Sequence, residues 1–295
     1  MTSWIILVGI AQFFSALVVL GDKFLVSDHQ LKSPSAYAFY VSILSAVVLF
    51  LIPFGVIHIP SGTVIALSLI VAISYILSIM GLYTSLRVAS ASEVMPIVGG
   101  VSAISTFLIK HYFFGEIFTK NFLIGSFFLV VGMVLVSHFR FPKRIVSYMF
   151  FSGVLFAVSS VLVKEIFSHT DFVNGFFWTR MANVFGALLL LLIPGNMYAI
   201  FHKTKNTKTH TTFLLLGNKI LGAVAFIIVL YAISIGNVSV INALSALQYL
   251  FLFVIAILLA HRFPKFFGDE ITRHEILHKI TAMGIILIGF FVLFN

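Results

Sequence analysis

The sequence predicts an all-α membrane protein of about ten transmembrane helices, built as two inverted five-helix repeats around a central cavity. Composition is the first reason: 61% of the 295 residues are apolar, 9% are charged, and mean hydropathy is +1.15. A chain with so few charges cannot cover a water-facing surface, so its solvent is lipid. Segmentation is the second. Apolar stretches approach the roughly 20 residues needed to cross a bilayer, and the polar connections between them are short. The third is internal repetition, because landmarks along the first five stretches return in the same order along the second five. Five is odd, so the second copy enters the membrane in the opposite sense.

The first stretch, 4–20, starts at Trp4 with no basic leader or small-residue cleavage site and reads as a retained helix; its polar side chains are Gln12 and Ser15. The second, 36–52, stops at Pro53. The third, 64–82, places Ser74 and Ser78 on one face, next to Tyr75, and closes on Tyr83. Glu93 opens the fourth, 94–109, where a carboxylate either caps the positive end of the helix or couples an ion or substrate. Pro96, Gly99 and Gly100 weaken the backbone ladder of that helix, which makes it either a bending gate or a site of close packing; Ser102 and Ser105 follow. The fifth, 122–136, carries Gly125 and Gly132. A basic linker, 139–147, separates the first repeat, 1–138, from the second, 148–295.

The second repeat holds stretches at 148–163, with Ser159 and Ser160; 172–193, with Arg180; 213–233, with Asn218, Lys219 and Tyr231; 238–259; and 280–294. In 238–259, Asn242, Ser245 and Tyr249 recur at helical spacing and share a face, with Gln248 beside them. Four matches relate the halves. Lys23 to Pro53 and Lys164 to Pro194 span equal distances, both ending in Ile-Pro; Leu82-Tyr83 is echoed by Leu230-Tyr231; and the His111 to Glu116 stretch is echoed by the longer His261 to Glu270.

Charge gives an orientation. Of 18 Lys and Arg, 13 fall in connections on one side (Lys23, Lys32, Arg87, Arg140, Lys143, Arg144, Lys203, Lys205, Lys208, Arg262, Lys265, Arg273, Lys279), and three (Lys110, Lys120, Lys164) on the other. The positive-inside rule then puts both termini outside the cytoplasm. There are no cysteines, so disulfides, thiolate chemistry and Cys-based metal sites are excluded. The net charge of +9 is spread over short loops and not gathered on one face, which argues against a nucleic-acid partner.

Several of these residues together resemble the EamA-type transporters of the drug/metabolite transporter superfamily. They are Leu82-Tyr83, Ser92 through Pro96 with Gly99 and Gly100, Phe113-Phe114-Gly115-Glu116, Gly125 and Gly132, Trp178-Thr179-Arg180, and the stretch from Ala243 to Ala260. The resemblance implies ten helices in two inverted repeats, a cavity lined by the first, third and fourth helices of each, a multi-pass place in the cell (inner) membrane, and cytoplasmic termini, the last against the charge bias. The family's frequent Glu-Pro pair in the fourth helix is Ser102-Ala103 here in one half and Gln248-Tyr249 in the other, and Phe39 stands where the second half has Arg180.

The function expected is secondary transport or export of small metabolites or drugs by alternating access, without a cofactor and without enzymatic chemistry. The candidate substrate-binding residues are Gln12, Tyr75, Ser78, Tyr83, Glu93, Tyr231, Asn242, Ser245, Gln248 and Tyr249; Pro96, Gly99 and Gly100 are the gating candidates. Each Ser has an alternative reading as helix-packing glue. A cavity lined by tyrosines and amides suits neutral, zwitterionic or cationic ligands. Arg180, about 12 Å into its helix, reads either as an anion ligand or as a structural bridge, and Lys219 either snorkels or points inward. The partners implied are a small-molecule substrate, with or without a coupled ion, and the bilayer, in a monomer or homodimer. Two alternatives stand beside this. One is a lipid-linked flippase of the same fold. The other is a membrane zinc peptidase, because His274-Glu275-Ile276-Leu277-His278 fits H-E-x-x-H. No acid, His or Cys follows His278, so a third ligand would come from upstream, from His261 or Asp269.

Overall fold

The computed structural model describes residues 3–26, 34–89, 91–136, 142–201, 209–260 and 273–294, and every regular element among them is helical. In chain order these are α1 (Ser3–Val26), α2 (Pro34–Ile43) continued by a 3₁₀ segment (Leu44–Phe54), α3 (Gly62–Leu86), α4 (Ala91–Phe114), α5 (Lys120–Val136), α6 (Lys143–His169), α7 (Phe172–Leu191), a short α8 (Asn196–Phe201), α9 (Thr209–Ile235), α10 (Val238–Ala243), α11 (Ala246–Ala260) and α12 (Arg273–Phe294). Among the described residues, six segments are long and apolar enough to cross a membrane: Ser3–Gly21, Pro34–Phe54, Gly62–Leu86, Val94–Phe114, Lys143–His169 and Gly217–Ile235. Shorter apolar helical stretches run over Lys120–Leu135, Val238–Leu252 (interrupted between α10 and α11) and Ile280–Leu293.

Burial is inverted relative to a water-soluble protein. Large apolar side chains such as Phe50 (76% exposed), Phe291 (70%) and Leu258 (72%) cover the outside, whereas Gln12, Thr106, Ser152, Thr179, Arg180 and Asn183 are buried. Such a surface would aggregate in water and is matched only by hydrocarbon. Phe172–Leu191 is shaped by the same partition, because Asn174, Thr179, Arg180 and Asn183 all face protein and are buried.

Helix contacts are close where residues are small. α5 and α12 approach through glycines: a Cβ on Gly289 would lie 2.7 Å from the Leu129 amide nitrogen, and one on Gly125 would lie 2.8 Å from Leu293 Cα. α3 and α6 are joined by reciprocal bonds, Ser78 Oγ donating to the Ser152 carbonyl (2.8 Å) and Ser152 Oγ to the Ser78 carbonyl (2.9 Å). α1 meets α9, where Asn218 Nδ2 donates to the Val18 carbonyl at 3.2 Å.

Three segments depart from the sequence expectation. The ninth stretch is not one helix: α10 stops at Ala243, and Leu247 and Gln248 donate to carbonyls three residues back. No Gly or Pro marks this break. Ser245 Oγ donates to the Asn242 carbonyl (2.7 Å), so a side chain takes up a backbone acceptor at the break. The second stretch changes from α to 3₁₀ winding at Leu44 and ends on Gly55, whose φ of 66° is left-handed and suits a residue without Cβ. Pro53, lacking an amide donor, lies inside the 3₁₀ part. Finally, α6 begins at Lys143 and takes in the second half of the linker expected at 139–147.

Candidate functional site

Four helices bring their middles together around one cation. Arg180 of α7 is 7% exposed, and its guanidinium carbon lies 4.8 Å from the ring centre of Phe226 on α9, 5.7 Å from Tyr75 on α3 and 6.0 Å from Phe176. Phe156 of α6 closes the group, edge-on to Tyr75 at 6.1 Å. Tyr75 and Phe156 occupy the midpoints of α3 and α6, so the cluster sits at mid-length of two long apolar helices. Cation–π contact offsets part of the cost of removing this charge from water. Asn183, one turn further along α7, is fully buried, and neither its Nδ2 nor its Oδ1 has a hydrogen-bond partner among the described residues; the same holds for Arg180 Nε.

A second aromatic–cation group lies toward the end of the bundle where α3 finishes. Lys219 Nζ is 3.4 Å from the Tyr37 hydroxyl and 5.2 Å from the centre of its ring, which stacks on Tyr83 at 4.3 Å and 10°. Tyr83 follows Tyr75 by two turns on α3, and Phe226 follows Lys219 by about two turns on α9, which puts the groups roughly 10 to 12 Å apart.

The other end of the bundle is cross-linked by polar contacts. Glu116, between α4 and α5, pairs with Lys110 (3.4 Å) and accepts a hydrogen bond from Asn237 Nδ2, while Asn237 Oδ1 caps α10 by accepting from the amides of Ser239 (2.8 Å) and Val240 (3.1 Å). Lys164 Nζ donates to the Ser234 carbonyl at 3.0 Å. The connection before α3 is held to α7: the His58 amide donates to Asn174 Oδ1 (2.7 Å), and Trp178 Nε1 donates to the His58 carbonyl (3.0 Å). Asp171 caps α7 there. Partial burial opposes ionisation of its carboxyl, yet hydrogen bonds from Asn174 and the Val173 amide outweigh that and hold its pKa below the ordinary carboxylate value.

The candidates named from sequence fall into separate places. Tyr75 and Tyr83 line the two cation groups. Tyr231 does not join them: it is 43% exposed and meets Phe172 edge-on. Ser78 is committed to Ser152, and Ser245 to the break between α10 and α11. Asn242 donates to Thr106 Oγ1 at 2.7 Å, holding α10 on α4. Tyr249 is a lock between helices, its hydroxyl donating to the Met95 carbonyl at 2.6 Å. Gln12 and Gln248 are buried on α1 and α11 and are not among the side chains that ring Arg180. The side chains of Glu93, His274 and Glu275 lie outside the described residues, as do His261 and Asp269. Among the described residues, no three His, Cys, Asp or Glu cluster as a metal site.

Of the gating candidates, Pro96 is buried within an α4 that stays one helix. Gly99 has a packing reason: a Cβ there would come within 2.3 Å of the Tyr249 hydroxyl. Gly100 has ordinary clearance. Tyr249→Phe therefore removes one inter-helix hydrogen bond, and is expected to lower stability by about 1 kcal/mol in detergent unfolding while leaving ligand binding intact.

Phe156, Phe176 and Phe226 were not singled out by the sequence, because 34 Phe residues hide any particular one, and Tyr37 was not singled out either. Their spacing to charges was available: Phe176 precedes Arg180 by one turn, and Phe226 follows Lys219 by two.

No family model matches this chain, and no curated protein matches it either. Among solved structures, one described as "Crystal structure of protein" superposes with a TM-score of 0.66 over 97% of this chain and 95% of its own, at 14% sequence identity. At that identity the likeness concerns the fold alone.

Proposed function

We propose that this chain is a secondary transporter of small metabolites, of the EamA type, working by alternating access in a multi-pass membrane fold of two inverted five-helix repeats. The observation that carries the reading is the buried aromatic–cation cluster of Tyr75, Phe156, Phe176, Arg180 and Phe226 at mid-depth, contributed by helices from both halves. A protein that only needed to be stable in lipid would not place a guanidinium there. Three further features support it. The α10–α11 break is a discontinuous helix of the kind that frees backbone groups beside transport sites. The packing pairs agree with a twofold exchange of halves: α3 on α6 corresponds to α9 on α1, α4 on α6 to α11 on α1, and α5 packs on α12 across the axis. The polar closure at Glu116 and Asn237 supplies one gate, and the connections at the other end carry most of the cations.

Uptake into proteoliposomes from a panel of labelled metabolites tests the function. Wild-type uptake above empty vesicles, lost on Tyr75→Ala, is the expected result; no uptake across the panel in either direction of loading counts against transport. Orientation has its own test, since the chain has no native cysteine. A cysteine at Ser147 is expected to react with an impermeant reagent from the cytoplasmic side, and one at Ser61 from the other. The reverse labelling would mean that the orientation usual in the resembled family overrides the charge bias.

A further inference from the structure

We propose that Arg180 is the anchor for a small organic anion, a carboxylate or phosphate carried on a flat apolar body, bound among Tyr75, Phe176 and Phe226. This rests on reading the cluster as a substrate site, and it narrows the ligand class that tyrosines and amides alone suggested. The rings engage Arg180 through electrostatic contact within about 6 Å of its carbon, but rings accept no conventional hydrogen bonds. A guanidinium carries five N–H donors and no acceptor. Nε is fully shielded and has no hydrogen-bond partner among the described residues.

Nor do the described residues set an acidic side chain against Arg180, whose contacts are with rings. Among the described residues Glu116 pairs with Lys110, Glu165 pairs with His169 and Asp171 caps the start of α7, whereas Arg180 is near the middle of that helix. Leaving a charge unpaired in a low-dielectric setting is costly, and pairing it with a carboxylate relieves both the charge and the idle donors at once. An incoming carboxylate or phosphate supplies that pairing. The fully buried Asn183 amide, also without a partner, lies one turn along the same helix and offers further donors and an acceptor. Lys219, on its own aromatic pair about two turns along α9, adds a second positive station toward the basic connections.

Thermal unfolding of the purified full-length protein in neutral detergent provides the test, with benzoate as probe, benzylamine as the same ring with opposite charge, and dihexanoyl phosphatidate as a lipid anion. Benzoate is expected to raise the melting temperature of wild type while benzylamine does not. Arg180→Met, which fits an apolar ring cluster, weakens the benzoate effect by about tenfold or more. Arg180→Lys keeps the charge but loses the planar fork, so it falls between the two. Lys219→Met lowers affinity less than Arg180→Met, and it serves should the Arg180 variants not fold. Equal stabilisation by benzylamine, an undiminished benzoate effect in Arg180→Met, or a response to the phosphatidate alone would each overturn the assignment. Benzoate binding without uptake into proteoliposomes retires the transport reading and leaves the anion site standing. Uptake of cations that is indifferent to Arg180→Met does the reverse.

Discussion

Gly289→Val is expected to destabilise the protein by about 3 kcal/mol, at the upper end of overpacking costs, because the atoms in its way belong to backbone. A Cβ at Gly289 would stand 2.7 Å from the Leu129 nitrogen and 2.8 Å from the Gly125 carbonyl oxygen. Neither can swing aside as a side-chain tip can, so α5 and α12 must part, and lipid-embedded helices depend on such close contact for their association. Gly284, on the same helix, supplies the control: nothing lies within 4 Å of a Cβ there, and Gly284→Ala is expected to be neutral or to stabilise by up to about 1 kcal/mol through helix propensity. Denaturation in mixed micelles reads both. Similar effects at the two positions would mean that the α5–α12 contact contributes little.

The largest effects on transport are expected at Tyr75 and Phe226. Each supplies a ring face to Arg180, and removing either ring uncovers the guanidinium and widens the cluster by the volume of an aromatic side chain. Loss of a well-placed aromatic contact is worth about 1 to 2 kcal/mol at a desolvated cation, so each alanine variant should lose roughly tenfold or more in uptake at equal expression. Tyr231→Ala, at an exposed ring that touches Phe172, is expected to change uptake by less than about twofold. Initial rates in proteoliposomes compare the three. Equal losses at all three positions would return Tyr231 to the site and remove the distinction drawn from burial.

The membrane character and most helices were legible in the sequence because hydropathy acts on each segment independently. Burial pressure along 64–82 or 148–163 needs no partner to be recognised. What resisted reading was whatever depends on a neighbour. Ser78 and Tyr249 looked like ligands because the residues that satisfy them, Ser152 and Met95, lie far off in the chain. Gly99 read as a hinge since nothing local announces the Tyr249 phenol packed against it. The α10–α11 break gave no signal, as a serine in a helix is common and its capture of the Asn242 carbonyl is a matter of rotamer. Arg180 was visible as a costly residue, but its surroundings were not: phenylalanines in a bilayer protein carry little information until a fold places three rings around one charge.

Alternating access around the mid-depth cluster is tested most directly by one accessibility measurement that needs no known substrate. Ser159, buried on α6 one turn beyond Phe156, becomes the reporter as Ser159→Cys, a near-isosteric change in a chain otherwise free of cysteine. Glu116→Cys and Asn237→Cys, whose native side chains hydrogen-bond to each other, supply an oxidisable lock at the closed end. Labelling of the reporter from both membrane sides before oxidation, and only from the basic side after it, is the predicted result. A reporter reached from neither side, or reached from both sides as readily with the lock closed, would contradict alternating access at this site.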